Sequence, residues 1–527
     1  MNPSPQTPPQ PSRPPCRRWL RRAVLCLAAL VVLVAAFYAE EDWRGARAWN
    51  QYRQSIEARG ESLDLRTYIP KPVPDDQNFL ATPFLKALFP TNAEEAMSDD
   101  ILTNDIWFGA NKNITQTNIS KDWGCLHFTD LVAWQLAFST LQNGPLDYKQ
   151  SFETTNTSLA ARAAAAPAVL AGMEPDAAVF AELRAASARQ YSVCPVPYDL
   201  EDLTPKVMHH QIDLIRICQR LNLEGCAELA AGQSDNAMAD VKLMFSLAES
   251  LKSESYLTSY LARRTCLRWV IQPVWEGLAE HRWNDAQLQE LQKRFLACDS
   301  PGEMYQSLEA ERAYQVFMAD QIKKEGLFFE VNAWPPASAS ARRIWEKALP
   351  WAGRIIPAGW YDQQKLKICR VFEAQYIGLV GFKAKKVSTR NAPPDTDKSD
   401  EQFRSSSLRD SILHSSPSLM LPYYDPVNFT AAVSQTTANQ AALACALERY
   451  RLANGQFPKT LDALTPQFIA HPPNDVITGQ PYKYRLATNG QFILYSVGWN
   501  EKDDGGVPGK ELFDKTQGDW VWEYPAE

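Results

Sequence analysis

Few side chains in this sequence stand at spacings that chemistry requires. His209, His210 and Asp213 form the first group. On a helix His209 and Asp213 are i,i+4 and His210 and Asp213 are i,i+3, so two or three of them can face one metal ion. The stretch lacks the H-E-x-x-H order of a zinc hydrolase, and the plainer reading is a polar helix start with a His–Asp surface pair. Asp75 and Asp76 follow Pro74. Glycoside cleavage needs two carboxylates at a defined separation, whereas two aspartates after a proline usually open a turn or cap a helix. Cys125 and His127 put a thiol and an imidazole two residues apart, which means little for a nucleophile and base until geometry is known. There is no G-x-S-x-G, no G-x-G-x-x-G and no P-loop. Near the end, "YSVGWNEKDDGG" runs a strand-like pattern into Asp503, Asp504, Gly505 and Gly506. Such acidic, glycine-rich stretches are usually solvated turns at hairpin ends.

These residues need elements to position them, and 527 residues are enough for two or three domains. Apolar residues make up 45% and charged residues 22%, a globular balance. A net charge of -7 gives no reason to expect nucleic acid as a partner. The 16 Trp and 19 Tyr suit cores better than a binding surface. Ten Cys are scattered without a C-x-x-C, so zinc is not expected. Cys218 and Cys226 share a predicted helix about 12 Å apart, too far to bridge each other. Most of the cysteines read as buried thiols, with one or two long-range disulfides left open.

The amino end predicts a membrane anchor. Residues 1–18 form a disordered, proline-rich tail ending in Arg17 and Arg18, and residues 19–39 form a transmembrane helix. The uncharged run Ala23 to Ala39 covers roughly 26 Å as a helix. It is flanked by Trp19 and Trp43, by Arg21 and Arg22 on one side, and by Glu40, Glu41 and Asp42 on the other. The arginines predict a cytoplasmic N-terminus, a single pass and an extracytoplasmic bulk, which in a bacterial envelope would be the inner membrane and the periplasm. The rival reading is a cleaved signal peptide: Val34-Ala35-Ala36 fits a cleavage site, while Phe37-Tyr38-Ala39 fits poorly because Phe37 is bulky. Four Asn-x-Ser/Thr sites, at Asn113, Asn118, Asn156 and Asn428, matter only in a eukaryotic secretory pathway.

Beyond the anchor the pattern predicts a mainly α protein. Residues 40–190 form a membrane-proximal, mostly helical region, with helices at "TPFLKALF" and "DLVAWQLAFSTL" and an alanine-rich stretch over 159–190. Residues 191–386 form a helical array with helices over 208–251, 256–280, 285–297, 303–324 and 361–386. Within 208–251, Gly232 is the expected helix end and Asp235 the expected N-cap of the next helix. Residues 387–432 read as a polar linker. Residues 433–527 form a small α+β domain: a helix from about Thr437, a short helix at "TLDAL", a hairpin turning at Asn489-Gly490, an acidic loop and a strand at "DWVWEYP".

Three resemblances extend this reading. Ala227, Leu229, Ala230, Gly232, Asp235 and Ala237 make the 208–251 pair resemble one tetratricopeptide-type helical hairpin. "EDWRGARAWNQYRQSIEARGESLDL" and "PVPDDQNFLATPFL" make the chain resemble uncharacterised membrane-anchored bacterial envelope proteins, a likeness that implies no activity. "ALERYRLANGQFPKTLDAL", "PPNDVITGQPYKYR", "FILYSVGWNEKDDGG" and "GDWVW" make the last 90 or so residues resemble the soluble domain of a major pseudopilin of type II secretion. That resemblance implies a pseudopilin-like α+β domain and a calcium ion in the loop after the hairpin. Matched by motif, the ligands would be Asp503, Asp504 and Asp519, in keeping with calcium's preference for hard oxygens on flexible, glycine-rich turns. Some 400 residues separate anchor from tail, and the Arg-rich flank with Pro14-Pro15 is no prepilin cleavage pattern, so polymerisation as a pilus subunit is not expected. The function expected is a non-enzymatic, membrane-anchored scaffold or binding protein with a protein partner in the envelope, associated with a type II secretion or pilus-like system. The alternative is an envelope hydrolase with its cleft between the 80–190 region and the helical array.

Overall fold

The computed structural model describes residues 16–89, 127–143, 158–194, 209–325, 356–375, 377, 380–381, 386–387 and 427–525. In chain order its helices are α1 (Cys16–Ala58), α2 (Pro83–Lys86), α3 (Leu131–Asn143), α4 (Leu159–Met173), α5 (Ala177–Ala186) and α6 (His209–Ala230). Then come α7 (Ser234–Ser250), α8 (Leu257–Ala279), α9 (Asp285–Leu296), α10 (Ser300–Glu325), α11 (Ala358–Gln375) and α12 (Val427–Asn454). The strands are β1 (Val380–Gly381), β2 (Lys386–Val387), β3 (Lys483–Leu486), β4 (Phe492–Ser496) and β5 (Trp520–Trp522). The chain divides into two compact units: Met1–Glu61 with Gln315–Arg370 and Glu401–Leu421, and Ser62–Tyr314 with Val371–Asp400 and Pro422–Glu527.

In the first unit the predicted anchor and the polar helix after it are one helix, α1. It is 43 residues long, or about 65 Å. Among the described residues it is the one helix long and apolar enough to cross a membrane, and its apolar window is wholly unburied. The polar half packs on α11. Gly45 and Gly359 mark the closest approach, where a methyl on either residue would overlap the other helix's backbone. Asp42 Oδ1 accepts from the Gly359 amide at 2.8 Å, and Glu41 Oε2 accepts from Trp360 Nε1 at 2.9 Å. The acidic residues that end the apolar run therefore also fasten a helix pair.

The second unit holds the helical array, with α6, α7 and α8 packed on one another. Gly232 turns the chain between α6 and α7 at φ +78°, a conformation glycine adopts without a Cβ penalty. The expected N-cap is corrected. The cap is Gln233, and Asp235 lies in the first turn, where it accepts from Gln287 Nε2 of α9 at 2.9 Å. Pro273 inside α8 has no N–H to offer the Trp269 carbonyl four residues back. Asn222 of α6 supplies the donor at 2.6 Å.

Helix α12 packs on α9 and α8, and it begins at Val427, ten residues before the expected Thr437. Every residue from Ala441 to Leu447 is completely buried. A helix apolar all round carries no stripe from which to read its ends. Trp275, Leu288, Leu291 and Phe295 of the array share one core with Leu443, Leu447, Phe492, Trp522 and Tyr524 of the tail. The boundary drawn at 432/433 thus falls inside α12, and residues 388–426 of the expected linker lie outside the described residues. Helix α11 ends at Gln375 instead of running to 386; glycines 378 and 381 oppose a helix, and β1 and β2 form a short antiparallel ladder instead. Strands β3, β4 and β5 make an antiparallel sheet in that order, with Gly490 at φ +83° in the hairpin loop.

At the end of α8, Gly277 sits against the buried indole of Trp283, whose Nε1 donates to the Val274 carbonyl at 3.2 Å. A methyl on Gly277 would overlap that ring. Gly277→Ala is therefore expected to lower stability by about 1–3 kcal/mol through overpacking, read as a drop in urea midpoint. An unchanged midpoint would show that the indole can shift freely.

Candidate functional site

Helix α8 presents one stripe, Tyr260, Arg263, Arg264, Leu267, Arg268 and Ile271, to a cavity of about 1040 Å³. These positions recur at three- and four-residue steps, one face of a helix. Val433, Thr437 and Gln440 of α12 face the same space, as do Phe492 and Ile493 of β4, Val521 and Trp522 at β5, and Phe295 of α9. Most of the wall is apolar and aromatic. The volume is at the upper end of small-molecule sites, which run about 300–1,000 Å³.

The three arginines differ. Arg263 is buried and ion-paired, donating to Glu303 Oε2 and, at 2.7 Å, to Glu249 Oε1. Burial works against its charge, but the two carboxylates prevail and hold its proton more tightly than usual. Arg264 and Arg268 have no hydrogen-bond or ion-pair partner among the described residues, and Arg264 Nε is buried with its proton unmet. Burial, and then the like charge of Arg268, lower the Arg264 pKa; the Tyr260 hydroxyl opposes them. Arg264 is half-buried, and a guanidinium nitrogen withdrawn from water without an acceptor is costly, so the site favours an anion there. Arg268 is exposed, as are Lys510, Glu511 and Glu523, which also line the cavity.

No family model, curated protein or solved structure matches this chain.

The residues singled out from the sequence take several places. His210 turns away from Asp213 and bonds Glu254 Oε1 at 2.7 Å. Glu254 also accepts from Gln211 at 3.0 Å and from Ser259, and with Cys194 these groups form a buried cluster. Burial raises the Glu254 carboxyl, but hydrogen bonds from His210, Cys194 and Ser259 hold it below the usual range. The same burial pushes the Cys194 thiol far up, which makes it a poor nucleophile. His209 opens α6, and its side chain lies outside the described residues. Asp75 sits in a 3₁₀ turn and pairs with Lys86 at 2.7 Å, so Asp75 and Asp76 serve a turn. His127 lines the cavity, with its carbonyl accepting from Gln272, and Cys125 lies outside the described residues.

Asp503, Asp504 and Asp519 share one loop network in the tail through backbone amides, but their carboxylate oxygens are not close enough to one another to form a ready ion site. Asp519 is completely buried and accepts the Asp504 amide at 3.2 Å and the Gly506 amide at 2.6 Å. Asp504 Oδ2 accepts the Gly518 amide at 3.1 Å. Asp503 Oδ1 accepts the Gly505 amide and the Tyr495 hydroxyl, both at 3.1 Å, and Lys483 stands 3.4 Å from Oδ2. The loop's own amides thus fold it around these carboxylates. Each residue fits an oxygen-donor role only through lone pairs that those donors leave over. The region expected to hold a hydrolytic cleft is partly outside the described residues. In its described part, Arg162 of α4 is buried among Glu276, Glu280 and the Thr129 carbonyl.

Asp213 is buried, and it carries a testable consequence. Desolvation raises its carboxyl pKa to about 7 against the opposing charges of Arg216 and His210. The folded state then keeps a proton that the unfolded chain releases near pH 4. Stability from this group is full below pH 4 and is lost as pH rises to about 7. Asp213→Asn should exceed the natural protein in melting temperature by much more at pH 8 than at pH 4.5. Equal differences at both pH values would show that Asp213 does not titrate so.

One stretch of the sequence carries a signal for the cavity. In "LARRTCLRWVIQ" three arginines interrupt an otherwise apolar helix, at positions that share a face.

Proposed function

We propose that this chain is a membrane-anchored binding protein of the bacterial envelope. Its cavity would hold an amphipathic anion, with an apolar body against the aromatic wall and a carboxylate or phosphate head on Arg264 and Arg268. The observation that carries this reading is the half-buried Arg264 side chain, whose Nε meets no acceptor, in a largely apolar cavity. Helix α1 supplies the anchor, and Arg17, Arg18, Arg21 and Arg22 favour a cytoplasmic N-terminus and a periplasmic bulk. The pseudopilin-like tail serves in this reading as a wall of the cavity, since β4 and β5 line it.

The test is saturable binding of a fluorescent fatty acid by the detergent-solubilised full chain, displaced by alkyl carboxylates and alkyl phosphates but not by the matching alcohols. Equal displacement by the alcohols would remove the anion from the proposal. Absence of saturable binding would overturn it. A protein partner is expected as well, recovered by pull-down from envelope extracts of the source cell.

Calcium in the tail loop belongs to the same reading. Millimolar calcium should raise the melting midpoint of the full chain, because binding only to the folded state must stabilise it, and Asp504→Asn should remove that part of the rise. A midpoint in which Asp504→Asn and the natural protein respond alike to calcium would take the ion out of the loop.

A further inference from the structure

Helix α6 carries Glu224 and Glu228 one turn apart, and α7 brings Asp240 against them. One oxygen from each lies within 4.8 Å of the other two. Oxygens that share one magnesium, manganese or calcium ion at about 2.0–2.6 Å stand no further apart than about twice that.

Among the described residues, one cationic side chain bonds the cluster. Arg184 of α5 gives Nε to Asp240 Oδ1 at 3.0 Å and Nη2 to Glu224 Oε2 at 3.2 Å. The neighbouring Arg220 is paired with Asp176. Glu228 Oε2 and Asp240 Oδ2 are buried with no hydrogen-bond partner, on residues 5% and 0% exposed. Three carboxylates against one guanidinium leave two negative charges. Buried anionic oxygens without donors are among the costliest groups a fold can contain.

We propose that Glu224, Glu228 and Asp240 bind one hard divalent cation, of the magnesium, manganese or calcium class, between α6 and α7. An oxygen-only donor set favours these ions over zinc or copper, which take nitrogen and sulfur. Two charges match the local excess, and the cation's partners are Glu228 Oε2 and Asp240 Oδ2, which no other side chain meets except through a proton shared between the two carboxyls. Without the ion the cluster must take up protons instead. Burial and the charge of Asp240 push Glu224 up to about 8, and burial with Glu224 pushes Glu228 up to about 7.

The full chain, stripped with a chelator in detergent at pH 7.5, is titrated with manganese and read by electron paramagnetic resonance; calcium and magnesium are read by melting. One equivalent of manganese is expected to bind, with a higher melting temperature for at least one of the three ions. Asp240→Asn should abolish both effects, and Glu224→Gln, at the less buried ligand, should weaken binding at least tenfold. If Asp240→Asn fails to fold by circular dichroism, the Glu224→Gln comparison decides. An Asp503→Asn, Asp504→Asn double variant must keep the manganese equivalent; its loss there would place the ion in the tail loop and overturn the assignment. A stripped protein that binds no manganese, and melts alike with chelator and each ion, would also overturn it and leave Glu228 and Asp240 sharing a proton.

Discussion

Arg264→Met should make the ligand-free protein more stable and nearly unable to bind an amphipathic anion. Both effects have one cause. The guanidinium is largely withdrawn from water, its Nε meets no acceptor, and Arg268 lies close enough to repel it. Methionine keeps the apolar stem and removes the charge, so the gain in stability should be on the order of 1–2 kcal/mol. The binding loss should be larger. A charge-assisted contact in a sheltered site contributes about 1.5–3 kcal/mol, so affinity for a fatty acid should fall about tenfold to a hundredfold. Arg264→Glu should abolish binding outright, and Arg263→Met should not reproduce this pattern, because Arg263 is occupied by Glu249 and Glu303. It should instead destabilise. Melting curves and fluorescence titrations of the three variants separate these outcomes. An Arg264→Met protein that melts lower and binds as before would show a structural arginine.

The second large effect is expected at Arg162. Its side chain is 1% exposed and holds three groups together. Its Nη1 donates to Glu280 at 2.6 Å, its Nη2 to Glu276, and its Nε to the Thr129 carbonyl at 3.1 Å. Glu276 Oε1 also accepts the Thr129 amide at 2.7 Å and Gln272 Nε2 at 2.8 Å. The guanidinium further lies 4.5 Å from the Phe128 ring. Arg162→Met leaves Glu276 charged, buried and missing its cation. Breaking such a pair costs about 3–5 kcal/mol, enough to threaten folding at 37 °C. Adding Glu276→Gln should recover part of the loss, because the amide oxygen still accepts from Thr129 while the charge is gone. A double variant as unstable as the sum of its singles would show that the two side chains do not act as a pair.

These two arginines show where sequence reading stops. Arg162 stands in an alanine-rich stretch, "LAARAAAAPAVL", and nothing beside it announces partners more than a hundred residues away. Arg264 looks like any solvated charge until α12 and the sheet close over its helix face. His210 has the same lesson in reverse. The nearby Asp213 is its obvious partner by spacing, yet the ring bonds Glu254, 44 residues on, because α8 begins where that carboxylate can reach it. The calcium candidates implied by the pseudopilin resemblance are linked through backbone amides, and the fold added the amides and Lys483 that occupy their oxygens.

Composition and period alone determined the apolar run of α1, the helical character of the middle, the turn at Gly232 and the hairpin around Gly490. Each of these depends on neighbours in the chain: hydropathy over one segment, a 3.6-residue stripe, or a backbone dihedral that glycine adopts freely. Only the tertiary structure decided that the tail helix starts at Val427 and shares the array's core, that α1 continues past the apolar run to pack on α11, and that Arg264 faces a cavity. Those outcomes depend on which surfaces meet, and a helix buried on every side, or a charge whose partner is distant in sequence, leaves no local trace to read.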